Sequence, residues 1–216
     1  RGPEALITYH YLQAEVNRVL TDRTPAELMA MSTPAQARLI WQKLFVERSP
    51  VSEAARGVVT TWKRLGAPNV RDCDGVLRHF STMTAAQAID LVFKTANVSG
   101  VVMTNDPFHP LEQAVWNGGK KRDARFQAAL RIDPLLLDWY AVWAQVRQMG
   151  YDVARDLPES TYPEIIRFLK DWAAKMKPLY MAVSLPPTFM MPDDSPTGRV
   201  LANAVLPACR DLGIPF

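Results

Sequence analysis

The sequence predicts an α/β protein with a parallel sheet, and three segments carry that reading. Val98 to Asp106 (VSGVVMTND), Phe126 to Asp133 (FQAALRID) and Leu179 to Leu185 (LYMAVSL) are apolar runs that close on polar residues. Helical stretches separate them, and strand, helix, strand, helix, strand is the βαβ rhythm. Right-handed crossovers would make such strands parallel. Polar groups gathered at the carboxyl ends of parallel strands point to an enzyme.

The part before the strands reads as helical up to about Asn97. Thr24-Pro25-Ala26-Glu27 has the pattern of a capping box with proline at the first helical position. Ser32-Thr33-Pro34-Ala35-Gln36 repeats it with glutamine. Ala37 to Val46 follows, with Ile40, Trp41, Leu44 and Phe45 at helical spacing. Ser49 to Glu53 opens a further helix that Gly66 ends, and Thr84 caps another through Phe93. After Val98, Pro107 to Lys121 reads as a loop with helical stretches. Leu135 to Met149 reads as a helix with Trp139, Tyr140 and Trp143 inward. Glu159 to Met176 and Thr197 to Leu212 are the remaining helices. Gly213-Ile214-Pro215-Phe216 looks like a turn and the first residues of another strand.

Composition bounds the function. The 216 residues are 48% hydrophobic and 22% charged, with a net charge of +3 and signs intermixed, so a nucleic-acid partner is not expected. The apolar runs are too short to span a bilayer, so no membrane partner is expected either. Arg1-Gly2-Pro3-Glu4 lacks the apolar stretch of a signal peptide. Cys73 and Cys209 stand alone without metal-type spacing, which fits two reduced thiols in a cytoplasmic protein.

The candidate chemistry lies at the strand ends: Asn105 and Asp106, Arg131 and Asp133, and Ser184. The plain reading is strand-end caps and ion pairs. Arg131 invites a sharper one. It sits within Ala128-Ala129-Leu130-Arg131-Ile132-Asp133-Pro134, and a guanidinium buried among apolar residues needs an anion. Asp133 is one candidate partner, and a bound carboxylate is the other. His10, between two tyrosines, reads on residue chemistry as a hydrogen-bonded core histidine or a functional one. His79 reads as surface and His109 as a loop residue. The three histidines have no metal-pair spacing, no glycine-rich phosphate loop is present, and Ser184 lacks nucleophile-elbow glycines. Arg48, Glu53 and Arg56 form a polar cluster whose default reading is a solvated face.

Five segments resemble bacterial uronate (glucuronate) isomerases of the amidohydrolase superfamily. They are Leu6 to Glu15 (LITYHYLQAE), Leu39 to Gly57 (LIWQKLFVERSPVSEAARG), Val102 to Phe108 (VMTNDPF), Phe126 to Leu137 (FQAALRIDPLLL) and Tyr180 to Phe189 (YMAVSLPPTF). The resemblance implies a partial (β/α)8 TIM-like barrel. Residues 1–97 would be a helical insertion after barrel strand 1, and residues 98–216 would carry strands 2 to 4. It implies interconversion of D-glucuronate with D-fructuronate, and of D-galacturonate with D-tagaturonate, through an enediol with proton transfer between C1 and C2. His10 and Tyr11 match the active-site His-Tyr pair, and Arg131 matches a substrate-contacting arginine. Asp133 and Asp106 are further substrate-site candidates. A divalent metal, zinc, is implied as cofactor, but its His-x-His and late-barrel aspartate ligands would lie upstream of Arg1 and beyond Phe216, leaving no metal ligand in this chain. The chain would thus be a fragment, roughly the first half without its opening, inactive alone. His109 stands where an acidic residue is expected. Two other readings are a non-catalytic sugar-acid binding or assembly module and a metal-dependent hydrolase of the same superfamily. Open strand edges in part of a barrel predict poor solubility or a homo-oligomer.

Overall fold

A computed structural model describes residues 3–119 and 122–216, so Arg1, Gly2 and Lys121, named above, lie outside the described residues. The chain divides into two units, Arg1–Val98 and Ser99–Phe216. Each has its own apolar core.

The first unit is helical. A short 3-10 turn, Pro3–Leu6, leads into α1 (His10–Asn17), α2 (Pro25–Ala30), α3 (Thr33–Trp41), α4 (Glu53–Arg64), α5 (Cys73–Ser81) and α6 (Ala85–Ala96). A π-type turn, Gln42–Val46, extends α3. The capping boxes of α2 and α6 form as predicted: Thr24 and Glu27, and Thr84 and Gln87, each bond the other's backbone N–H. The box expected over Ser32 to Gln36 does not form, because the cap falls at Ser32 and leaves Gln36 one position too far along. Gln36 turns inward instead, and its amide donates to the carbonyls of Met29 (3.4 Å) and Met31 (3.0 Å) at the end of α2 while accepting from Gln13 Nε2. Those carbonyls would otherwise lack partners at the helix end, so one buried amide closes α2 and binds it to α1 and α3.

Of the helical spacing legible in the sequence, Ile40, Trp41 and Leu44 lie in the core of this unit and Phe45 packs on it partly buried, with Trp62, Leu12, Val16, Leu28 and Val76 completing the core. Trp41 stacks on Phe45 at 4.5 Å. Cys73 is part of this core, and burial pushes its thiol up to about 11, so it stays protonated at neutral pH. Gly66, with φ of +84°, follows the end of α4 in the left-handed region that favours glycine.

The second unit is a helix-covered parallel sheet. Its elements are β1 (Val101–Asn105), α7 (Pro110–Asn117), β2 (Phe126–Arg131), α8 (Asp133–Leu137), α9 (Trp139–Gln148), α10 (Thr161–Met176), β3 (Met181–Ala182), α11 (Pro196–Val200), a π-type turn (Leu201–Val205) and α12 (Leu206–Leu212). The order is β1-β2-β3, with Val101 opposite Phe126 and Leu130 opposite Met181. The Met181 N–H donates to the Pro215 carbonyl at 2.9 Å, so the segment after α12 lies along the far side of β3.

The three predicted strands exist but are shorter than read. Phe126 to Asp133 stops at Arg131, because Ile132 leaves the extended region (φ −120°, ψ 25°) and Asp133 starts α8. The third strand has two residues, Met181–Ala182. The helix expected over Leu135 to Met149 is two helices that meet at Asp138, whose side chain caps α9 at Ala141 N. Trp139 is buried with its Nε1–H on the Arg155 carbonyl, and Trp143 packs partly on the core, but Tyr140 faces outward. Ala128, Ala129 and Leu130 of β2 are all buried, the mark of a strand covered on both faces. β1 is less covered, with Val102 and Met103 exposed.

Candidate functional site

The carboxyl ends of the three strands form one rim of the second unit. β1 ends at Asn105 and runs into Asp106, β2 ends at Arg131, and Ser184 follows β3. Carboxylates fix these ends in two places.

At the first, Glu112 on α7 reaches back to the end of β1. Its Oε2 accepts from Asn105 Nδ2 and from the Asp106 N–H, both at 3.0 Å. Asp106 Oδ1 in turn accepts from the Phe108 N–H at 2.8 Å, so this carboxylate shapes the turn into α7. Glu112 was not picked out from the sequence. A signal was there: it is the third helical residue after the cap position His109, where a carboxylate ordinarily reaches back to its own cap. Here it reaches three residues further. His109 is exposed.

At the second, Arg131 and Asp133 form a paired contact. Nε donates to Oδ2 at 2.7 Å and one Nη donates to Oδ1 at 3.1 Å. Asp133 Oδ1 also accepts from the Ser184 N–H at 3.2 Å, so one carboxylate bonds the ends of both β2 and β3. Ile132 makes this possible: its backbone turn ends the strand and swings Asp133 round onto the side chain two residues back.

Arg131 is not buried. The expectation of a guanidinium sunk among apolar neighbours fails, because β2 ends at Arg131 and its side chain is 47% exposed, against 12% for Asp133. Ala129, on the same face of the strand, is buried, so it is the position of Arg131 at the strand's end that exposes it, while Leu130 and Ile132 on either side are buried. Asp133 supplies the anion, so burial alone creates no demand for a second one. What remains for a ligand is geometric. Asp133 occupies the side-on pair of donors, Nε and one N–H of the bonded Nη. The other Nη group makes no protein hydrogen bond among the described residues, which leaves an end-on pair of N–H groups open.

The charges reinforce one another. The Asp133 carboxylate holds the Arg131 guanidinium above its ordinary value, with Asp106 adding to it. The Arg131 bond holds the Asp133 carboxyl below the usual range; burial opposes this and the Ser184 N–H assists. A carboxylate lowered in the folded state contributes stability above its unfolded value, about 4, and loses that contribution as pH falls through the lower folded value. Acid unfolding of this chain is therefore expected to include a step below about pH 4 that Asp133→Asn removes. Urea midpoints measured from pH 6 down to pH 2 check this. Parallel curves for both proteins would show that the Asp133 proton is not linked to folding.

His10 and Tyr11 lie in the first unit. His10 is the first residue of α1 and is exposed, not the hydrogen-bonded core histidine that one reading of the sequence allowed. Its ring lies 4.2 Å from that of Tyr9 and 4.3 Å from that of Tyr11, and the two tyrosines meet edge to face at 5.2 Å. His10 borders a cavity of about 550 Å³ with Thr8, Gln13 and Gln36. Tyr11, 60% exposed, borders a second of about 650 Å³ with Glu15 and Ser52, which bond each other at 2.8 Å. An exposed imidazole between two phenols can donate or accept a proton and hydrogen-bond hydroxyl groups. His79, at the end of α5, is half-buried against Phe80. Arg48 donates to the Lys43 carbonyl, while Glu53 and Arg56 are exposed.

Among the described residues, no three His, Cys, Asp or Glu side chains converge as a metal site would require. The donors among the described residues do not fit a bound divalent metal. No helix among the described residues is long and apolar enough to cross a membrane.

A parallel sheet covered by helices, with a paired arginine and carboxylates at the carboxyl rim of its strands, is the layout of an α/β enzyme. No protein-family profile and no curated protein matches the chain. Among solved structures it is similar to a uronate isomerase from Bacillus halodurans C-125, at 47% sequence identity and a TM-score of 0.93. The likeness covers 100% of this chain and 51% of that one, so the chain spans about half the length of the isomerase it matches. The uronate isomerase resemblance seen in five separate segments thus extends over the whole chain.

Proposed function

We propose that this chain is part of a uronate isomerase, which converts D-glucuronate to D-fructuronate and D-galacturonate to D-tagaturonate in the complete, cytoplasmic protein. The observation that carries the reading is 47% identity to such an isomerase across all of this chain, with the same fold. The (β/α)8 barrel belongs to the proposal, with the three strands here as its second to fourth and residues 1–97 as the insertion after its first.

The open donor pair of Arg131 agrees chemically with the substrate. A uronate is a small polyol with a carboxylate, and an end-on guanidinium binds a carboxylate through two parallel N–H bonds. In this proposal Arg131 holds and orients the sugar acid. In the first unit, the resemblance makes Tyr11 a hydrogen-bond donor and His10 an acid–base group of the complete enzyme. Asp106 and Asp133 act at the rim beside Arg131. The described residues do not fit the divalent metal that the resemblance implies.

The complete coding region should be expressed and incubated with D-glucuronate and D-galacturonate, with divalent metal supplied. Appearance of the 2-keto acids, followed by NMR, is the expected result. A protein that folds, retains metal and forms neither ketose would overturn the isomerase reading.

A further inference from the structure

We infer that Asp133 is a positioning residue for Arg131, not a substrate ligand, and that it reserves the end-on face of the guanidinium for the substrate. The inference deepens the uronate reading and rests on it.

Three observations carry it. Both carboxylate oxygens of Asp133 are already engaged, Oδ2 by Arg131 Nε and Oδ1 by Arg131 Nη and the Ser184 N–H. Its side chain is 12% exposed, which leaves little surface for a sugar hydroxyl to reach. The contact uses the side-on donors, so Arg131 presents its other face outward from a side chain that is 47% exposed. A flexible arginine at a strand end would otherwise sample many rotamers. The paired contact to a carboxylate held by two strand ends removes that freedom before substrate arrives. Asp133 itself is fixed at the first position of α8, directly after the backbone turn at Ile132.

The test is a double-mutant cycle in the full-length protein, read by steady-state kinetics on D-glucuronate. Asp133→Asn keeps an acceptor for the Ser184 N–H but loses the charge that holds the guanidinium. It is expected to raise KM by about 10- to 100-fold, the value of a charge-assisted hydrogen bond, with a much smaller change in kcat. In an Arg131→Ala background, Asp133→Asn is expected to add almost nothing, because its effect passes through Arg131. A KM left at the wild-type value overturns the inference. So does a double variant that loses the product of both single effects, since Asp133 would then touch substrate independently.

Asp133→Glu keeps the charge but displaces the carboxylate, so it is expected to fold like the parent and still raise KM; a wild-type KM for that variant also overturns the inference. Failure of the uronate reading looks different: the unmodified enzyme would turn over neither sugar acid. In that case the Arg131 Nε–H resonance decides the positioning claim. Slow solvent exchange that becomes fast in Asp133→Asn supports it, and unchanged exchange sinks it.

Discussion

Arg131→Ala in the full-length protein is expected to lower kcat/KM for D-glucuronate by about 100-fold or more while moving stability little. The first half follows from chemistry. Two charge-assisted hydrogen bonds to a carboxylate are worth about 1.5–3 kcal/mol each, and alanine removes both along with the orientation they impose. The second half follows from exposure. The Arg131 side chain is 47% exposed, so its pairing with Asp133 is partly screened by water. An ion pair of that kind contributes about 1 kcal/mol or less to folding. Truncation also opens a path for water to Asp133, which keeps its bond to the Ser184 N–H. Arg131→Lys should fall between, since lysine keeps the charge but lacks the planar fork. Kinetics and urea unfolding on the same three proteins check the separation. If the loss of activity tracks the loss of folded protein, Arg131 is structural and the sugar-acid reading loses its anchor.

The contrast between Arg131 and Gln36 shows what local sequence could and could not tell. The rim itself was legible: apolar runs ending in Asn105, Arg131 and Ser184 do lie at the carboxyl ends of parallel strands. The helix caps at Thr24 and Thr84 were legible because they are satisfied within four residues. Gln36 was read by the same pattern and failed, because the cap falls at Ser32 and leaves it one position too far along, with its amide bonded to Gln13 and Met31 instead. Arg131 failed as a burial argument for a related reason. An apolar run does not reveal where the strand stops, and Arg131 is the last strand residue, exposed although Ala129 on the same face is buried. Glu112 went unseen because its partners, Asn105 and Asp106, are on the preceding strand and its loop. His10 was misjudged as a possible core residue because its tyrosine neighbours count as apolar in a pattern, yet all three rings lie on the surface.

Phe168→Ala should have the largest effect on stability, and it bears on how the rim is held. Phe168 is fully buried on α10. It stacks on Phe108 at 5.4 Å, takes Tyr151 edge-on at 5.2 Å and lies 6.3 Å from Trp172. Its core includes Leu130 and Ile132, the two buried residues on either side of Arg131. Removing the ring loses its transfer free energy and leaves a void that these aromatic neighbours cannot close, for a cost of about 3–5 kcal/mol. Phe168→Leu should cost less, because most of the volume stays filled. Among the described residues, the core of the first unit, built on Ile40 and Trp62, contains none from the second. Hydrogen exchange in Phe168→Ala is therefore expected to lose protection in β2 and α10 while α3 and α4 keep theirs. Equal loss in α3 and α4 would mean that the two cores unfold as one, and that a substitution in the first unit could disturb Arg131 as strongly as one in the second.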